Sequence, residues 1–261
     1  MPGFILNALL GAVLSGMSLA VFAPFVTLRK ISYMGEALSH IAFAGIALAI
    51  ITGTNLTIGA LVFVILISLG ISWLARRYKL QEANTITIFL SLSMAIGIIL
   101  ISLSRNYTFD LSSYLFGNVL LIQGQENLVL GILLLINLAF VSIFYNRLYY
   151  LCYNPEIARV FRIRIALVDR LFYTLLAANI VINLKSAGII LVTAQLILPA
   201  VIAFNLAHRL EKVIVIGILA AILSSLMGFA MSFQYNLPTG ATIVICQALL
   251  YALTLLFKRR S

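Results

Sequence analysis

Within GEALSHIAFAG, residues 35–45, a carboxylate and an imidazole stand four positions apart in a stretch that is otherwise small or apolar. On a helix of 3.6 residues per turn, Glu36 and His40 lie about 40° apart, so both side chains project from one face. If the helix enters a bilayer near Ile31, His40 sits about 14 Å in, close to mid-membrane. A charge at such depth costs about 2.5 to 3.5 kcal/mol or more unless it faces water or a partner, which makes the pair a functional candidate. Two readings fit the spacing: the pair holds a cation, or it hydrogen-bonds within itself or to a neighbouring helix and fixes packing. If a cation is held, one oxygen and one nitrogen donor suit zinc, manganese or ferrous iron. Copper(I) prefers sulfur, and calcium and magnesium prefer all-oxygen shells. Ser39 and the small residues Gly35, Ala37, Ala42, Ala44 and Gly45 allow close helix approach under either reading.

The elements that must position this pair are membrane helices. Of 261 residues, 63% are hydrophobic and 9% charged, a balance that belongs to a polytopic membrane protein. Apolar runs long enough to span occur near 4–28, 31–51, 56–75, 84–104, 126–146, 187–206, 212–232 and 238–257, each close to the roughly 20 residues a bilayer requires. A ninth run, about 170–184, is short and reads as a full crossing or as a broken helix held among its neighbours. The first run lacks a basic leader and a small-residue cleavage site, so it is expected to stay in the mature chain. With nine crossings, every lysine and arginine except Arg105 and Lys185 falls on one side of the membrane, including Arg29, Lys30, Arg76, Arg77, Lys79, Arg209 and Lys212. The positive-inside rule makes that side cytoplasmic, with the C-terminus inside and the N-terminus outside. The formal charge of +10 is thereby explained as topology, with some attraction to anionic lipid, and not as nucleic-acid binding, for which no basic patch is gathered.

No GxxxxGK[ST] phosphate loop, HExxH, GxSxG or GxGxxG occurs, and seven acidic residues leave little for acid–base catalysis, so an enzyme is not expected. Cys152 and Cys246 are far apart, with no Cys/His cluster that would suggest a thiolate site. The chain reads as one transmembrane domain, 1–261, with a cytoplasmic connection at 147–169 as its sizeable polar element. There Asn154 can cap a helix, Pro155 suits its first position and Glu156 its dipole, with Arg159, Arg162 and Arg164 following. On the external side, Asp110 within FDLSSYLFG either receives a ligand or caps a re-entrant turn. Arg105 and Lys185 either steer a partner or anchor lipid heads. His208 at the cytoplasmic edge reads as solvated, and Tyr145, Tyr149, Tyr150 and Tyr153 as an interfacial belt. Pro199 is expected to kink or break its helix, and Pro238-Thr239-Gly240 to start one whose hydroxyl faces a polar cavity.

RKISYMGEALSHIAFAG resembles the signature of the permease subunits of ATP-binding-cassette importers for zinc, manganese and iron. Further matches follow in order: FDLSSYLFGN at 109–118, NPEIARVFRI at 154–163, SAGIILVTAQLILPAVIA at 186–203 and LPTGATIVI at 237–245. Together they span nearly the whole chain. The resemblance implies an all-α, polytopic helical bundle of eight to nine transmembrane helices of the type II importer-permease kind, in the inner membrane of a prokaryote. It also implies a second permease copy, cytoplasmic ATPase subunits that supply the ATP hydrolysis, and an extracytoplasmic metal-binding protein. No permanent cofactor is implied; the metal is cargo, zinc first on the strength of SYLFG, with manganese or iron next.

Carried over by position, Glu36 falls on the family's aspartate and His40 on its histidine, the pair implied to contact metal. Glutamate in place of aspartate moves the carboxylate out by one methylene. Two copies near a dimer axis would supply four ligands, and one site per protomer is equally open. NPEIAR resembles the coupling region that docks on the ATPase, implicating Asn154, Pro155, Glu156, Ala158, Arg159 and Phe161; Asn154 stands where an aspartate is more usual. Rival readings are a siderophore- or haem-type permease, which would not need Glu36 and His40, and an ion-coupled secondary carrier, which would run without an ATPase.

Overall fold

The computed structural model describes residues 3–103, 119, 122–153 and 165–257. Among them are eight helices and no strand: α1 (Gly3–Leu28), α2 (Met34–Thr52), α3 (Leu56–Tyr78), α4 (Glu82–Leu103), α5 (Gly124–Tyr153), α6 (Ile165–Leu206), α7 (Leu210–Tyr235) and α8 (Thr239–Phe257). All eight are long and apolar enough to cross a membrane. α6 has 42 residues and is broken at Gly188, whose φ of 75° and ψ of 167° are non-helical. At 1.5 Å per residue, 42 residues reach about 63 Å, twice a hydrocarbon core, so the break divides two membrane-length pieces. The runs expected at 170–184 and 187–206 are those two pieces. The break falls at Gly188, where the absence of a Cβ permits the conformation, while Pro199 is carried inside the second piece. α5 runs on to Tyr153 and α6 starts at Ile165, so both ends of the segment expected at 147–169 are helical.

The helices divide between two compact units. One contains α1, α5 as far as Ile143, α6 from Asn183, α7 and α8. Its helices meet through small residues: Gly16 faces Ser225 and the Gln195 amide, Gly217 lies on the Pro199 carbonyl, and a Cβ at Gly228 would run into the Ile243 backbone. Apolar packing alone does not drive helices together in lipid, so close approach and polar contacts carry the association. Here Asn137 donates to the Ser18 hydroxyl at 2.9 Å and Gln247 to the Gln195 carbonyl oxygen at 3.1 Å, all fully buried. Thr239 is buried and shares a 2.8 Å hydrogen bond with Ser232, so the hydroxyl expected to face a cavity instead ties α8 to α7.

The other unit contains α2, α3, α4, the end of α5 from Phe144 and α6 up to Ile182. α2 packs on both α3 and α4. Gly53 in the left-handed region closes α2, and Asn55 opens α3 by accepting from the Thr57 and Ile58 amides at 3.0 and 3.3 Å.

Candidate metal-path site

α2 is held by three close approaches in its second half. A Cβ at Gly45 would lie 2.8 Å from the Ala60 Cα, one at Gly59 would lie 2.5 Å from the Ala49 Cβ, and one at Gly97 would lie 3.1 Å from the Ala44 Cα. Backbone therefore meets backbone on the α3 side and on the α4 side, which fixes the rotation of α2 about its own axis. Met34, Leu38 and Ile41 are fully buried, and Ser39 returns its hydroxyl to the Gly35 carbonyl at 2.7 Å. In the first half of α2 a stripe of three residues remains open, with Tyr33 and Glu36 exposed and His40 half-buried, and at its far end Leu48, Ile51 and Thr52 are exposed as well. Tyr33, Glu36 and His40 occur at spacings of three and four, one above the other on a helix surface.

Glu36 lies in the first turn of α2, where the helix dipole favours a carboxylate. Counted from Met34, His40 is about 9 Å along the axis, nearer the helix start than a start at Ile31 implies. Among the described residues neither side chain has a hydrogen-bond or ion-pair partner. The packing alternative requires a partner from outside the described residues. The two donors are an oxygen and a nitrogen about one turn apart, and no group of three His, Cys, Asp or Glu that could hold a metal forms among the described residues. Two ligands from one protomer leave the remainder to water, to a further chain or to residues outside the described set.

The other expected residues divide. Lys185 is described and is paired with Glu126 at 2.6 Å, near the break in α6, with the lysine side chain largely in solvent. Asp110 and Arg105, and Asn154, Pro155, Glu156, Ala158, Arg159 and Phe161, lie outside the described residues. His208 is exposed between α6 and α7, as expected, and Tyr149, Tyr150 and Tyr153 are exposed at the end of α5 with rings in contact. Neither Cys152 nor Cys246 forms a disulfide.

Sequence reasoning placed Asp169 at the end of a loop and gave it no role. It sits in the second turn of α6, 2% exposed, with an ion pair to Arg76 at 3.2 Å and a hydrogen bond from the Ser72 hydroxyl at 2.7 Å. One turn on, the Tyr173 hydroxyl donates to Glu82 at 3.0 Å. The only signal in the sequence was an acid next to an apolar run, since its partners are remote along the chain.

Comparison with known proteins places the chain clearly. A model of the ABC 3 transport family matches residues 1–258. The manganese transport system membrane protein MntC of Listeria innocua is 32% identical over 255 residues, covering 98% of this chain and 91% of the relative. The high-affinity zinc uptake system membrane protein ZnuB of Haemophilus influenzae is 31% identical over 252 residues, covering 97% and 96%. The solved structure of PsaBC from Streptococcus pneumoniae in complex with Fab superposes with a TM-score of 0.82 at 29% identity, covering 96% of this chain and 90% of that one.

Proposed function

The chain belongs to the ABC 3 transport family, as a multi-pass membrane permease subunit and not an enzyme, and on that premise we propose that it carries a divalent first-row transition metal inward through a path lined by Glu36 and His40. The observation that supports this reading is the open stripe at the start of α2: a carboxylate and an imidazole side by side, unpaired among the described residues, on a helix packed closely against α3 and α4. Carboxylate plus imidazole suits zinc, manganese and ferrous iron alike. Relatives named for manganese and for zinc stand at like identity, so the reading commits to the class of cargo. A bulky chelate would have no use for such a pair.

The energy source is a separate ATPase docked on the cytoplasmic segment 154–164, with Ala158 and Phe161 meeting the partner. A binding protein delivers metal on the opposite side, and a second permease copy completes the path. Of the outer candidates, Lys185 is already engaged by Glu126, which leaves Asp110 and Arg105 as docking or gating groups. The basic ends of the helices, carrying Arg76, Arg77, Lys79, Arg209 and Lys212, face the cytoplasm, with the C-terminus inside.

Metal-stimulated ATP hydrolysis and metal uptake in liposomes holding the permease with its ATPase and binding protein test this directly, with zinc, manganese and ferrous iron compared. Stimulation by one of the three, lost in an assembled His40→Ala complex, is the expected result. Equal uptake by wild type and variant would return the pair to packing.

A further inference from the structure

At the basic end of the second unit, α6 is fastened to two neighbours. Asp169 is ion-paired with Arg76 and accepts from Ser72, both on α3, and Arg76 also donates its Nε to the Ser72 carbonyl at 3.1 Å, which fixes the guanidinium. The Tyr173 hydroxyl bonds Glu82 in the first turn of α4, and the Ser68 hydroxyl of α3 reaches the Tyr173 carbonyl at 3.4 Å. Asp169 is 2% exposed and Tyr173 fully buried, while Arg76 is 32% exposed and Glu82 half-buried, so each bond is anchored at a buried residue of α6 and reaches a partner nearer the surface. A buried carboxylate of this kind costs more than an apolar side chain of its size unless it is paired, and a buried pair is weak evidence for stability by itself. Its position suggests another use. α6 begins at Ile165, directly after segment 154–164, while α3 and α4 are the helices that grip α2 through Gly59, Ala60 and Gly97.

We propose that Asp169 and Tyr173, with Arg76, Ser72 and Glu82, are coupling residues: they bind the start of α6 to α3 and α4 so that displacement of the docking segment moves the helix carrying Glu36 and His40. This rests on the reading that 154–164 receives the ATPase. They are positioning residues, since none lies on the open stripe of α2. Ion pairing joins α6 to α3, the tyrosine bond joins it to α4, and backbone-to-backbone packing passes the displacement to α2. Small shifts are transmitted because packed helices resist continuous deformation.

The test is the ratio of metal transported to ATP hydrolysed in the reconstituted complex, together with thermal unfolding of each variant. Tyr173→Phe removes one hydroxyl and no packing volume; Asp169→Asn keeps the shape and removes the charge. Each is expected to lower the ratio by about two- to tenfold, the effect single residues in coupling networks carry, while ATP hydrolysis persists. The exchange Asp169→Arg with Arg76→Asp is expected to recover part of the loss seen in Arg76→Asp alone. A coupled wild type whose Tyr173→Phe and Asp169→Asn variants keep its ratio overturns the proposal. So does a loss that follows unfolding temperature alone with no recovery in the exchange. A wild-type complex without metal-stimulated hydrolysis overturns the reading beneath it instead.

Discussion

An imidazole and a carboxylate without partners among the described residues, on a membrane helix, are costly to keep, and the cost sets expectations residue by residue. His40→Ala should lower metal affinity and uptake by at least about tenfold, since even the loss of groups that only support a ligand commonly costs that much. The assembled complex and its unfolding temperature should be unchanged, because His40 makes no hydrogen bond among the described residues. Radiometal binding and uptake would check it. Glu36→Asp keeps the carboxylate one methylene nearer the backbone, and competition among zinc, manganese and iron for uptake should shift while transport survives. Glu36→Gln should abolish it. A Gln variant that transports at the wild-type rate would remove the carboxylate from the path. That Glu36 and His40 share one face of a helix was legible in the sequence, because four-residue spacing inside an apolar run puts side chains side by side. Asp169 was not, because Ser72 and Arg76 lie nearly a hundred positions away and nothing in a single sequence joins them.

At the scale of elements, the apolar runs anticipated all eight helices among the described residues, including the two pieces of α6. Hydropathy succeeds here because an unpaired backbone group in hydrocarbon leaves a spanning segment few alternatives to a helix. It does not choose between a proline and a glycine as the place where a helix stops. Pro199 is accommodated and Gly188 breaks, since only glycine adopts that backbone without strain. Gly188→Ala should cost about 1–3 kcal/mol of stability. Gly59→Leu, driven into Ala49, should cost about 1–3 kcal/mol and displace α2 from α3. Thermal unfolding in detergent reads both, and the second should also depress metal uptake if Glu36 and His40 hold the metal as proposed, because the rotation of α2 aims them. Asn55→Ala, by contrast, removes only the cap of α3 and should cost about 1 kcal/mol with transport intact.

For the whole molecule, charge asymmetry assigns an orientation that labelling can check. In a background without Cys152 and Cys246, a cysteine at Lys79 should react with an impermeant maleimide only after the membrane is opened, and one at Gln125 should react in intact cells. The reverse pattern would place the proposed ATPase-docking segment outside the cell and overturn the orientation. The two compact units share α5 and α6 as continuous stretches of chain, so the division is one of packing and does not separate two parts of the sequence. That interleaving could not be read beforehand, because hydropathy marks which segments are helices and is silent on which of them touch.

α5 has 30 residues, about 45 Å of helix, where a hydrocarbon core is about 30 Å thick. Its closing turns carry Tyr149, Tyr150 and Tyr153, rings that prefer the headgroup layer. Either α5 leans or its tyrosine end stands proud of the lipid, immediately ahead of the segment assigned to the ATPase. Acyl-chain length therefore acts on the docking end directly: a thicker bilayer draws the rings up and straightens the helix, and a thinner one lets it tip. The permease should accordingly be sensitive to the lipid that hosts it, with short- and long-chain membranes giving different ATPase engagement at the same metal concentration.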